Sequence, residues 1–165
     1  MYKRQGLRQN SKPIFSDFDD WAKNYDDNLL KNSTKGLPAN FSCLDLTAGF
    51  GKDALEISKV VNCKSLVLVE KEAWVFELLV DGIKNISCSR AGGLLKKFKT
   101  FNMDNLEFLE SKNETFDLIY IDPMFLGVKK SKAKKHMQAL RDLSTAAIQK
   151  ELLKKSLDFA NYRVC

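Results

Sequence analysis

FSCLDLTAGFGKDAL, residues 41–55, decides the fold. Phe41 to Leu46 is a short apolar run of strand character. It passes at once into Thr47-Ala48-Gly49-Phe50-Gly51, and from Lys52 the apolar spacing becomes helical, with Ala54, Leu55, Ile57, Ser58 and Val61 on the pattern. A strand that enters a glycine turn and opens a helix lets backbone approach a ligand closely and aims helix amides at it. The same alternation repeats outward. SLVLVE (65–70) precedes a helical pattern of Trp74, Val75, Leu78, Leu79 and Ile83. FKTFNM (98–103) precedes a short helix around Leu106 and Leu109, and FDLIYID (116–122) precedes a helical region from about 130 to 159 that ends in NYRVC. Strand and helix in alternation predict an α/β fold: a mostly parallel sheet with helices on both faces over residues 41–165. Right-handed crossovers would set the carboxyl ends of all its strands along one edge, where open α/β sheets bind ligands.

Residues 1–40 read differently, as an N-terminal arm and linker. Pro13, Ile14, Phe15, Phe18 and Trp21 are placed to pack the arm onto the domain, and Asn32 to Pro38 has linker composition. With 165 residues, 44% hydrophobic and 29% charged, the chain suits one soluble domain rather than a collagen-like or wholly disordered protein. No apolar run reaches the roughly 20 residues of a membrane span, and MYKRQGLRQNSK lacks the apolar stretch of a signal peptide. A cytoplasmic protein without a membrane partner is expected. Cys43, Cys63, Cys88 and Cys165 form no C-x-x-C pair, and His136 is the single histidine, so no metal is expected. Cys43, inside the first strand, reads as a small buried hydrophobe.

The glycine loop admits two ligand classes. Gly49-x-Gly51-x-x-Ala54 fits a dinucleotide fingerprint, with Glu70 at the end of the second strand to hold ribose hydroxyls. Asp45 disfavours that reading, because a carboxylate beside the loop repels a pyrophosphate. It would attract the ammonium and sulfonium charges of S-adenosylmethionine (SAM) instead. Asp45, Gly49, Gly51 and Glu70 are therefore candidate cofactor residues. Asp104-Asn105, after the third strand, is placed either to bond the cofactor's adenine amine or simply to cap the next helix.

Asp122-Pro123-Met124-Phe125 turns out of the fourth strand at the same edge. Asp122 offers a carboxylate, Pro123 a constrained carbonyl and Phe125 a flat apolar ring, which are the parts that hold an exocyclic amine on a nucleobase. Accepting both amine hydrogens localises the nitrogen lone pair and aims it at a methyl carbon. Asp122, Pro123 and Phe125 are the candidate catalytic residues.

Charge is uneven. Residues 126–155 hold nine Lys or Arg against Asp142 and Glu151, whereas residues 17–27 hold five Asp and one Lys, in a chain of net charge +6. The cluster of Lys129, Lys130, Lys132, Lys134 and Lys135 predicts contact with a polyanion at one place, read here as RNA phosphates.

DLTAGFGKDAL, VEKEAWV, LLVDGI and above all DPMF followed by KKSKAKKHM resemble the ribosomal RNA small subunit methyltransferase J family over about residues 42–165. The resemblance implies a Rossmann-like class I SAM-dependent methyltransferase fold, SAM as cofactor, methylation of the exocyclic N2 of a guanine in 16S rRNA, and 16S rRNA or the small ribosomal subunit as partner. Carried over residue by residue, the family's cofactor contacts fall on Lys52, Asp53, Glu70, Lys71, Asp104, Asn105 and Asp122. Two departures stand out. The family has a longer N-terminal segment with basic and glycine-rich stretches, where this chain is acidic at Asp17 to Asp27. It also continues beyond the strand matching Tyr162-Arg163-Val164, so the expectation is a C-terminally truncated domain lacking its last strands. Competing functions are an adenine-N6 methyltransferase on DNA or RNA, an NAD-dependent oxidoreductase, and an inactive truncated domain that binds cofactor or RNA.

Overall fold

The computed structural model describes residues 7–9, 12–24, 28–122 and 149–165. The elements, in order, begin with β1 (Leu7–Gln9), β2 (Lys12–Ile14), α1 (Phe18–Asn24), α2 (Asn28–Ser33), β3 (Phe41–Asp45), α3 (Lys52–Ser58) and β4 (Cys63–Glu70). They continue with α4 (Ala73–Lys84), α5 (Ser89–Leu95), β5 (Phe98–Asn102), α6 (Asn105–Ser111) and β6 (Phe116–Tyr120), then helical residues 149–157 (α7) and β7 (Ala160–Val164). β1 and β2 form a small antiparallel pair. The other strands make one sheet in the order β5-β4-β3-β6-β7, every neighbour parallel.

Helices cover both faces of this sheet, and adjacent residues of one strand supply opposite faces. Cys43, Leu66, Leu68 and Leu118 point to a core closed by Phe18 of α1, Ala54, Leu55 and Ile57 of α3, Leu79 of α4 and Leu95 of α5. Leu44, Val69 and Ile119 point the other way, to Phe108 and Leu109 of α6 and Leu152 of α7. Burial on two faces explains why these strands read as nearly continuous apolar runs.

The order of the strands fixes the site. From β3 the chain moves outward through β4 to β5, then returns to lay β6 on the other side of β3. The reversal falls between β3 and β6, the switch point at which a crevice opens above the strand ends.

Several expectations from sequence change in detail. Val61 lies beyond the end of α3 and is 95% exposed, because the helix stops at Ser58 and the chain turns into β4. Asn32 and Ser33 belong to α2 rather than to a linker, with the Thr34 amide bonded to the Lys31 carbonyl just after it. α5 and the β1–β2 pair were not legible. Within the arm, Phe18 is fully buried and belongs to the main core, its ring edge against Trp21 and against Phe98 of β5.

Candidate functional site

The glycine loop is held from both sides. The Leu46 amide donates to the Tyr120 carbonyl of β6 (3.0 Å) and the Ala48 amide to the Val69 carbonyl of β4 (3.0 Å). Gly49 (φ 53°) and Gly51 (φ 83°) adopt left-handed backbone that a side chain resists. Gly51 is constrained by space as well: a Cβ there would lie 2.6 Å from Leu79 Cδ1 and 2.9 Å from Phe18 Cζ. The N-terminal arm also touches the loop through Ser16, whose hydroxyl donates to the Phe50 carbonyl (2.8 Å).

Three carboxylates organise this loop from within. Glu70, at the end of β4, accepts the Gly49 amide (2.9 Å) on one oxygen and the Glu72 amide (2.8 Å) on the other. Asp45 accepts the Thr47 amide (2.9 Å). Thr47 in turn accepts the Asp122 amide on its hydroxyl oxygen (2.7 Å), which ties the end of β6 to the loop after β3. Asp53, on the first turn of α3, accepts the Tyr120 hydroxyl (3.0 Å).

Asp45 is 1% exposed, and burial pushes its carboxyl up to about 7. The Thr47 amide opposes that rise, while the charges of Asp53 and Glu70 add to it. Burial also raises the Tyr120 hydroxyl, with Asp53 the next cause. The strand ends therefore form a field of negative charge in which a bound cation would favour the ionised carboxylates.

A pocket of about 200 Å³ opens here, lined by Trp21, Thr47, Ala48, Gly49, Phe50, Lys52, Asp53 and Asp122. The structure thus brings Gly49, Lys52, Asp53 and Asp122 of the expected residues around one space. Glu70 and Asp45 support its loop, and Gly51 lets the loop pack against Phe18 and Leu79. Lys71 is exposed, its carbonyl accepting the Asn102 side chain (3.2 Å). Asp104 caps α6, accepting the Leu106 (2.9 Å) and Glu107 (3.4 Å) amides, and the Asn105 side chain also accepts the Leu106 amide (2.9 Å). Of the two roles open for Asp104, the capping geometry is present. Pro123, Phe125, Lys129, Lys130, Lys132, Lys134 and Lys135 lie outside the described residues. Trp21 and Thr47 were missed by the sequence reading. Thr47 sat inside the quoted loop and its hydroxyl was a usable signal, whereas Trp21 comes from an element distant in sequence.

A parallel sheet in this order, with a glycine loop after the central strand and a carboxylate ending the next strand, defines a Rossmann-like nucleotide or SAM-binding domain. The family model described as "Putative SAM-dependent methyltransferase" matches residues 21–165, and the chain belongs to that family. A protein named ribosomal RNA small subunit methyltransferase J from Francisella tularensis subsp. holarctica is 27% identical over 146 residues, covering 83% of this chain and 60% of the relative. The protein of that name from Francisella philomiragia is 34% identical over 103 residues, covering 61% and 42%. The chain thus spans 60% or less of the length of these curated relatives. The crystal structure of a SAM-dependent methyltransferase from Neisseria gonorrhoeae superposes with a TM-score of 0.72 at 20% identity, covering 96% of this chain and 65% of that one, and carries the same fold.

Family and fold imply SAM as the cofactor, and the residues fit it. The charges of Asp53 and Glu70 both act on Asp45, and Asp122 stands at the neighbouring strand end. This donor set suits a ligand with sulfonium and ammonium charges and opposes a pyrophosphate. Among the described residues no group of three or more His, Cys, Asp or Glu is arranged to hold a metal ion, and no helix is long and apolar enough to cross a membrane.

Proposed function

We propose that this chain carries the methyl-transferring domain of an enzyme that methylates the exocyclic N2 of a guanine in 16S rRNA. The observation that carries the reading is the hydrogen bond from the Asp122 amide to Thr47. It fixes the backbone of a carboxylate residue at the switch point, beside the glycine loop that suits a cationic cofactor. The names of the relatives supply the choice of RNA.

SAM, when bound, supplies a methyl group on a sulfonium that departs as a neutral thioether. Glu70 would accept the cofactor's ribose hydroxyls with the lone pairs left after its two amide bonds. Lys52 and Asp53, at the start of α3, would face its amino-acid end. Asp122 and the Pro123 carbonyl would accept the two hydrogens of the guanine amine and turn its lone pair toward the methyl carbon, while Phe125 would stack on the base. Asp122 is also the acceptor nearest the proton that the amine must lose. The lysines from Lys129 to Lys135 would engage RNA phosphates.

The test is methyl transfer from labelled SAM to small-subunit RNA, with nucleoside analysis of the product. Label in N2-methylguanosine supports the reading, and label in N6-methyladenosine would replace it with adenine methylation. Asp122→Ala should cut the transfer rate at least a hundredfold, the scale on which removing one oriented polar group from a transition state is felt, with little change in RNA affinity.

A further inference from the structure

Trp21 is the one pocket residue supplied by α1, and the core does not account for it. Phe18, one helical turn earlier, fills the space above Gly51 and Leu79 and is fully buried. Trp21 packs only partly against that cluster and lines the pocket with Lys52, Asp53, Asp122 and the glycine loop. It is also held in place. Its amide donates to the Asp17 carbonyl (3.0 Å), its carbonyl accepts Lys59 Nζ (3.3 Å), and its ring meets Phe18 edge-on at 5.5 Å and 74°. The other tryptophan, Trp74, is 44% exposed, sits against Phe50 and does not line the pocket.

An indole is the best side-chain partner for a soft organic cation, and desolvation strengthens the attraction. Here it shares a pocket with two carboxylates, in a family whose cofactor carries a sulfonium. We propose that Trp21 is a cofactor-recognition residue that receives the sulfonium end of SAM by cation–π contact, so the pocket holds the cationic donor in preference to the neutral thioether product. The inference rests on the SAM reading above and adds to it a role for the N-terminal arm: α1 discriminates donor from spent cofactor and so favours product release.

Calorimetric titrations of SAM and S-adenosylhomocysteine against the parent chain, Trp21→Leu and Trp21→Phe test it. Trp21→Leu should weaken SAM roughly fivefold to tenfold, the range of a partly desolvated cation–π contact, and S-adenosylhomocysteine less than twofold. Trp21→Phe keeps an aromatic face and should lose less SAM affinity than Trp21→Leu. A second measurement needs no change at Trp21: in Trp74→Phe the only tryptophan left is Trp21, and its emission should be quenched as SAM is added. Equal losses for the two ligands would assign Trp21 to the adenosine part and overturn the proposal, as would SAM binding with no change in Trp21 emission. Failure of the parent chain to bind SAM would refute the methyltransferase reading itself, and this inference with it.

Discussion

Gly51→Ala tests whether the N-terminal arm, the glycine loop and α4 form one packed unit. Two separate penalties apply. The φ of 83° is left-handed, which costs an alanine about 1–2 kcal/mol. The new methyl would also lie 2.6 Å from Leu79 Cδ1 and 2.9 Å from Phe18 Cζ, both side chains buried and so unable to swing into solvent. Overpacking of this kind costs about 1–3 kcal/mol, giving roughly 2–5 kcal/mol in all. Gly36 is the internal control: its φ is 79°, but a Cβ there meets nothing within 4 Å, so Gly36→Ala should lose only the backbone share of about 1–2 kcal/mol. Urea unfolding followed by far-UV circular dichroism would show both midpoints falling at an unchanged slope, Gly51→Ala by the larger amount. Adding Phe18→Leu to Gly51→Ala should recover part of the overpacking cost, and the double-mutant cycle would report that coupling. If Gly51→Ala loses no more than Gly36→Ala, Phe18 and Leu79 do not close on the loop and the packing argument fails.

Other expectations follow from the same loop. Asp45, raised to about 7 by burial, stays protonated in the folded chain between about pH 4 and 7, where the unfolded chain has released its proton. Its contribution is thus fully present below pH 4, declines as pH rises to 7 and is then level, a span of roughly 3–4 kcal/mol. Asp45→Asn should remove that slope, so the difference in urea midpoint between variant and parent must change from pH 5 to pH 8; a constant difference refutes the assignment. Thr47→Ala should cost the Asp122 amide its partner and lower the methyl-transfer rate about tenfold, whereas Thr47→Ser restores it; equal rates for Ala and Ser would show that the hydroxyl does no positioning. Glu70→Ala should weaken SAM binding by about 1–3 kcal/mol in calorimetry, and unchanged affinity would remove Glu70 from the cofactor site.

The strands were legible because a sheet covered on both faces imposes apolar residues at nearly every position, as in SLVLVE and FDLIYI. The loop was legible because its glycines and the flanking change of periodicity come in one stretch. α5 was not, since Ser89–Leu95 contains two adjacent glycines that oppose a helix; tertiary contacts of Ala91 and Leu95, both buried, hold it in place. The site divides in the same way. Gly49, Lys52, Asp53 and Asp122 could be placed from the strand ends they follow, because topology alone carries them to one edge. Trp21 could not, since its approach depends on α1 packing over a loop encoded some thirty residues later. Asp45 was legible as a carboxylate beside the loop but not as a buried one; only the packing above β3 removes it from water.

The seat of the arm also has a temporal side. Ser16 and Phe18 leave the ribosome early, yet the surfaces they fit are absent until much later: Gly51 admits Phe18, and a Cβ at Gly82 would lie 2.5 Å from Ser16 Cβ. Until α4 has been synthesised the arm has nowhere to dock, and Phe18 and Trp21 remain exposed beside the five aspartates of residues 17–27. That run of like charge keeps a nascent apolar segment soluble and apart from its copies while it waits. Acidity at these positions is thus a property suited to the unfinished chain, and the completed fold merely inherits it.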